Sequence, residues 1–121
     1  MIKDFTQFEA WKKSMQLASD IHQLTKVFPK EERYSLVDQM RRAALSVPAN
    51  LAEGLGRFTY PDKLNKYVVS RGELIELMTF LHHSCNVDYI DRAILQKHLL
   101  LCEEVHKMLN GFISAMREKI P

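Results

Sequence analysis

The stretch from Tyr34 to Arg57, YSLVDQMRRAALSVPANLAEGLGR, restricts the possible folds more than any other part of the chain. Placed on a helix of about 3.6 residues per turn, Val37, Met40, Ala44, Val47 and Leu51 fall on one line and make an apolar stripe. A second stripe is polar: Gln39, Arg42, Ser46, Asn50, Glu53 and Arg57, three or four residues apart. Solvated faces are usually written with interchangeable Lys and Glu. This one holds amides, a hydroxyl and an Arg/Glu pair, groups that satisfy each other when they are buried together. The bland alternative is an ordinary wet face. Pro48 sits inside the pattern. It lacks a backbone donor and crowds the carbonyl four residues before it, so a kink is expected there, with Ser46 available to a freed carbonyl.

The other segments read as three more helices. Thr6 and Glu9 have the spacing of a capping box at the start of helix one, which runs to about Val27 and is ended by Pro29. Lys30-Glu31-Glu32 places acids in the first turn of helix two, and Gly54 and Gly56 bring it to an end. Thr59-Tyr60-Pro61-Asp62 opens helix three, about Tyr60 to Asn86. Its seam is Leu64, Tyr67, Arg71, Leu74, Met78, Leu81 and Cys85. Such a seven-residue recurrence suits helices crossing at a shallow angle. Gly72 in mid-helix costs about 1 kcal/mol against alanine, and close approach of another helix backbone is its expected return. Asp91 can cap helix four, about Arg92 to Glu118. There, Leu95, Leu99, Cys102, His106, Leu109, Ile113 and Met116 lie beside Ile94, His98, Leu101, Val105, Met108 and Phe112, with Leu100 adding breadth. This arc is wider than one seam of a bundle requires, and self-association is the expectation. The alternative is a helix sunk deep in its own bundle.

No strand-like alternation, repeat or low-complexity linker interrupts the helices. One all-α domain over residues 1–121 follows: an up-and-down, antiparallel four-helix bundle with helix two kinked at Pro48. Hydrophobic residues at 46% and charged residues at 26% argue for a packed globular chain rather than a disordered one. No apolar run approaches the ~20 residues of a membrane span. The charged start, MIKDFTQFEAWKK, is unlike a signal peptide, and two cysteines suit a reducing, cytoplasmic setting. The net charge is +2, with nine basic and seven acidic side chains in residues 1–60 and eight of each in residues 61–121. That balance permits an RNA partner without demanding one.

Residues able to carry chemistry are few. His98, Cys102 and His106 follow one another at intervals of four, the spacing with which a helix presents ligands to a metal. His82, His83 and Cys85 end helix three. Neither group has a Cys-x-x-Cys pair or an acidic ligand in its row, and His or Cys on an apolar stripe more often packs. No metal or cofactor is predicted, and a metal-dependent enzyme or small helical nuclease built on His98, Cys102 and His106 is the lesser reading. Arg92 and His98 are similar in type to the Arg and His of helical RNA-cleaving (HEPN) domains, but six residues turn a helix by roughly 240° and point them apart. Glu53 and Glu76 find their simplest partners in Arg41, Arg42 or Arg71. A buried Glu53 would make Glu53→Ala strongly destabilising. Lys12, Lys13, Arg41, Arg57, Lys63 and Lys66 are a candidate basic patch for nucleic acid; scattered solvated cations are the plain alternative. No catalytic constellation and no small-molecule substrate is predicted.

Taken together, these motifs resemble a known family. Phe28-Pro29-Lys30-Glu31-Glu32 with Leu36, Gln39 to Ala44, Ser46 to Gly54, Gly56-Arg57, Trp11, Gly72 with Glu76-Leu77, and the Val87 to Ile90 turn look like the bacterial four-helix proteins of large-subunit rRNA intervening sequences. Glu73 departs from the small residue usual after the glycine, which suggests a further salt bridge there. The resemblance implies an up-down bundle assembling as a ring of five. It also implies kinship with the accessory protein of diversity-generating retroelements, a basic pentamer that binds a reverse transcriptase and nucleic acid. By carry-over, Gln39, Arg42, Ser46, Pro48, Asn50, Glu53, Gly54, Gly72 and Glu76 are motif positions with structural roles, orienting helix two against helix three or a neighbouring subunit. The expectation is a non-enzymatic homo-oligomeric scaffold or adaptor, with RNA, or an RNA-associated protein such as a reverse transcriptase, as a possible partner.

Overall fold

A computed structural model describes residues 4–121. Four helices carry the chain: α1 (Glu9–Thr25), α2 (Leu36–Gly56), α3 (Tyr60–Asn86) and α4 (Arg92–Lys119). Two 3₁₀ turns, Phe5–Gln7 and Lys30–Glu32, precede α1 and α2. The packed pairs are α1 with α2, α2 with α3, α3 with α4, and α4 with α1, the arrangement of a four-helix bundle. Contacts between chain-distant ends give its sense. Lys119, at the end of α4, lies 5.1 Å over the ring of Tyr60, at the start of α3. Phe8, before α1, meets Phe112, late in α4, with ring centroids 6.0 Å apart. Tyr89, after α3, meets Phe28, after α1, at 5.3 Å. Successive helices therefore run in opposite directions.

Local chemistry explains most of the ends. Thr59 Oγ accepts from the Asp62 amide at 3.2 Å, and Asp91 accepts from the Ile94 amide at 2.8 Å. These are the caps expected at α3 and α4. At the other end of α3, the amides of Val87, Asp88 and Tyr89 return to His83, Cys85 and Ser84. Asp88 adopts the left-handed backbone, φ 64°, that such a helix stop uses. The start of the chain differs from expectation. Asp4, not Thr6, is the capping residue: its carboxylate accepts from the Thr6 amide at 3.1 Å and from the Thr6 hydroxyl. The turn it caps is a separate 3₁₀ element, and Glu9 is the first residue of α1. Helix α1 stops at Thr25, two residues before the expected end, and Lys30–Glu32 forms its own 3₁₀ turn rather than the first turn of α2.

The α2 stripe is the centre of the core. Met40, Ala44, Val47 and Leu51 are completely buried, with Val37 nearly so. They meet Tyr67, Leu74, Leu77 and Leu81 of α3 and Cys102, Val105, Leu109 and Ile113 of α4 within one cluster. Buried hydroxyls are satisfied at short range. Ser14 donates to the Trp11 carbonyl at 2.9 Å and Thr25 to that of Ile21 at 2.8 Å. Helix α2 is continuous through Pro48, from Leu36 to Gly56. Beside this turn, Ser70 Oγ of α3 donates to the Val47 carbonyl at 2.7 Å.

Two expectations about packing change. The broad apolar arc of α4 is mostly taken up by its own bundle. His98 and Val105 are buried with the first seam, Leu101, Met108 and Phe112 pack partly against the core, and Ile94 and Leu100 stay exposed. Further exposed apolar side chains lie close together on α3, where Val68, Val69 and Ile75 are 36–48% exposed. Gly72 lies within the same stretch, is exposed, and a Cβ there would meet nothing within 4 Å. The close approach expected at Gly72 occurs at Gly54, which a Tyr67 ring covers.

Candidate functional site

The polar row of α2 does not close into a network inside the chain. Gln39, Arg42 and Glu53 are exposed, while Ser46 and Asn50 are half-buried. Apart from Asn50, which reaches the backbone of Ser46, each bonded member finds its partner outside the row. Arg42 Nε donates to Asp38 at 3.1 Å, one turn earlier. Asn50 Nδ2 donates to the Ser46 carbonyl at 2.8 Å. Glu53 pairs with Lys66 at 2.9 Å, and this pairing holds its carboxyl below the usual range. Arg71 donates to Asn110 Oδ1 on α4 at 3.0 Å rather than to Glu76, which is exposed. Glu73 forms no ion pair among the described residues. Desolvation, with repulsion from Glu76 behind it, raises its carboxyl. Gln39, Arg42 and Glu53 are thus available to another molecule, while Ser46 and Asn50 are partly covered by the chain itself.

Of the six candidate cations, Arg57, Lys63 and Lys66 share the junction of α2 with α3, and most of the six are engaged by groups of the chain itself. Lys12 lies 3.9 Å from Glu9, Lys13 3.3 Å from Glu104, and Lys66 is held by Glu53. Lys63 Nζ donates to the carbonyls of Gly54 and Leu55 at 3.3 and 3.0 Å, answering the end of α2. Arg57 is exposed beside Phe58, a ring left almost wholly in solvent on the connection between α2 and α3. Arg41 is at the other end of the bundle, where Nε donates to Thr25 Oγ1 at 2.9 Å and Nη2 to the His22 carbonyl at 3.2 Å. It ties α2 to the C-terminus of α1.

The His/Cys row separates in the same way. His98 is buried and its Nδ1 lies 2.8 Å from the Ile94 carbonyl, fixed to its own helix. Cys102 is fully buried, and desolvation pushes its thiol up to about 12. His106 faces Asn110, with Nδ1 and Nδ2 3.4 Å apart. Among the described residues, no three His, Cys, Asp or Glu side chains are placed to hold one metal ion.

Two recesses were not legible from residue spacing. One, of about 380 Å³, lies where α1 passes into α2 and is lined by Thr25, Lys26, Pro29, Lys30, Arg33 and Arg41, with Phe28 and Val37 also on its wall. The other, of about 450 Å³, is an apolar groove between α1 and α4, lined by Phe8, Ala10, Met108, Gly111, Phe112 and Ala115. The second brings together distant parts of the chain, and the first is folded from the single stretch 25–41 where α1 turns into α2.

The sequence identifies the family. The model of the 23S rRNA-intervening sequence protein matches residues 6–111. The chain belongs to that family. Among solved structures, it is similar to a protein of unknown function from the S23 ribosomal protein family of Bacteroides thetaiotaomicron, with a TM-score of 0.79 and 24% identity, over 86% of this chain and 97% of the other. That likeness concerns the fold. No curated protein matches the chain. No helix among the described residues is long and apolar enough to cross a membrane.

Proposed function

We propose that this intervening-sequence family protein is a non-enzymatic, self-associating scaffold, five copies to a ring, that serves as an adaptor for RNA or for an RNA-associated protein such as a reverse transcriptase. The observation that carries self-association is the apolar outer stretch of α3, Val68, Val69 and Ile75 around the bare backbone of Gly72. Apolar side chains gathered on one face mark sites that another surface covers. A ring with an odd number of subunits needs two different, complementary surfaces, since each copy meets its neighbours head to tail. The α1–α4 groove lined by Phe8, Met108 and Phe112 supplies a second apolar surface for the α3 face of a neighbouring copy. In such an assembly the exposed polar row from Gln39 to Glu53 is repeated around the ring. The name of the family and the slight positive charge support RNA as the partner.

Light scattering during gel filtration tests the assembly. A ring of five weighs about 70 kDa, five times the 14.1 kDa chain. A single species at the mass of one chain refutes the proposal. Ile75→Glu should break the ring while leaving the helices folded. Filter binding to structured RNA, repeated as salt is raised, tests the partner, because phosphate contacts weaken steeply with salt. No retention at low salt removes RNA and leaves a protein partner. A cytoplasmic location belongs to the same proposal and is tested by cell fractionation.

A further inference from the structure

The recess at the passage from α1 to α2 has a chemistry that neither the bundle nor its self-association requires. Four cations, Lys26, Lys30, Arg33 and Arg41, line about 380 Å³, and no carboxylate is on its wall. Among the described residues, none of the four forms an ion pair. Other lysines are neutralised by acids, as Lys12, Lys13 and Lys66 are by Glu9, Glu104 and Glu53. Glu32, in the same connection, is engaged elsewhere: it accepts from Tyr89 at 2.6 Å and from Ser35 at 2.7 Å. Arg41 is held in place by two bonds, to Thr25 and to the His22 carbonyl, which leave part of its five-donor fork unspent. The second of those bonds also answers the negative end of α1, which would otherwise oppose an anion. The remaining wall is Thr25, whose hydroxyl is engaged by Arg41 and the Ile21 carbonyl, and Phe28, Pro29 and Val37, with Phe28 and Val37 buried, so that one part of the recess is cationic and another largely apolar.

We infer that this recess binds the phosphate monoester of a small organic molecule, with Arg41 as the fixed donor, Lys26, Lys30 and Arg33 closing around the phosphate, and the organic part against Phe28, Pro29 and Val37. A doubly charged, multi-acceptor group matches a guanidinium fork flanked by ammonium groups. The volume is at the small end of the range of ordinary ligand sites, roughly 300–1,000 Å³. A small molecule fits it better than a polymer, whose backbone must run on past the recess.

The test is amide and arginine side-chain NMR on the full chain at low salt, titrated separately with adenosine 5′-monophosphate, inorganic phosphate, adenosine, and a single-stranded RNA oligomer without terminal phosphates. The monophosphate should move the Arg41 Nε–H signal and the amides of Phe28 and Val37 saturably. Inorganic phosphate should move the same signals more weakly, and adenosine should not. Lys30→Ala/Arg33→Ala removes two exposed side chains and should weaken the monophosphate by about tenfold or more, the scale of lost bonds to a charged group. A melting curve of that variant, unchanged from the parent, certifies its fold. The inference is overturned if neither phosphate probe gives a saturable change, or if the changes survive in the double variant. It is equally overturned if the RNA oligomer moves these signals and the monophosphate does not, which would assign the recess to internal phosphodiesters.

Discussion

Gly54 and Tyr67 are in a contact that leaves no room for a side chain. A Cβ on Gly54 would lie 2.5 Å from Tyr67 Cε1 and 2.8 Å from Cδ1, and Tyr67 is itself clamped in the core against Phe112 at 5.3 Å. Alanine normally favours a helix over glycine by about 1 kcal/mol. At this position, overpacking of about 1–3 kcal/mol opposes that gain. Gly54→Ala should therefore show a net loss of up to about 2 kcal/mol in urea unfolding. Gly72→Ala, with open space around it, should stabilise the fold by about 1 kcal/mol. The opposite signs of two identical substitutions check the placement of α3 against α2.

Tyr89 and Glu32 join the two connections at one end of the bundle, with the hydroxyl donating to the carboxylate at 2.6 Å. This bond, with a lesser one from Ser35, lowers the Glu32 carboxyl, and the same bond raises the Tyr89 phenol to about 12. A lowered carboxyl contributes stability above its ordinary value of 4.5 and loses it as pH falls through the lowered one. A raised phenol contributes below its ordinary 10.0 and loses the contribution between there and about 12. Tyr89→Phe should thus melt lower than the parent across the neutral range. The difference should shrink in acid below 4.5 and again in alkali above 10.0.

The two thiols should differ sharply toward a thiol reagent. Cys102 is fully buried with its thiol pushed up to about 12, whereas Cys85 is partly exposed. The reactive species is the thiolate. In the native protein at pH 8, a colorimetric disulfide reagent should titrate Cys85 alone, and denaturant should release the second equivalent. Fast reaction of both thiols in the native state would contradict the placement of Cys102.

Glu53→Ala should have a small effect on the unfolding of the single chain. The carboxylate is more than half exposed, and its pair with Lys66 is at the surface, where such pairs contribute little. If the same substitution also lowers the mass measured by light scattering, Glu53 acts between copies rather than within one.

The helices and their core were readable from the chain because they depend on spacing alone. The stripe of Val37, Met40, Ala44, Val47 and Leu51 has one helical phase, and burial follows phase whatever the neighbour is. Thr59 and Asp91 cap as expected because a cap bonds only to amides two or three residues away. The polar side chains were not readable in this way. Arg41, Glu53, Lys63 and Arg71 are long and flexible, and each bonds whichever group the packed helices bring within reach: Thr25, Lys66, the end of α2, and Asn110. The same holds for Gly54 against Gly72, since a need for glycine depends on what lies across the helix.

From its residues alone, the chain is committed to four amphipathic helices in one bundle, because periodicity and caps act over a few residues. Only the tertiary structure decides which faces remain uncovered, namely α3 around Gly72 and the α1–α4 groove, and which cations gather around the recess at Arg41. The groove arises where segments distant in sequence meet, and the α3 face and the recess, each from one stretch of chain, depend on how neighbouring helices pack around them, which no local rule carries.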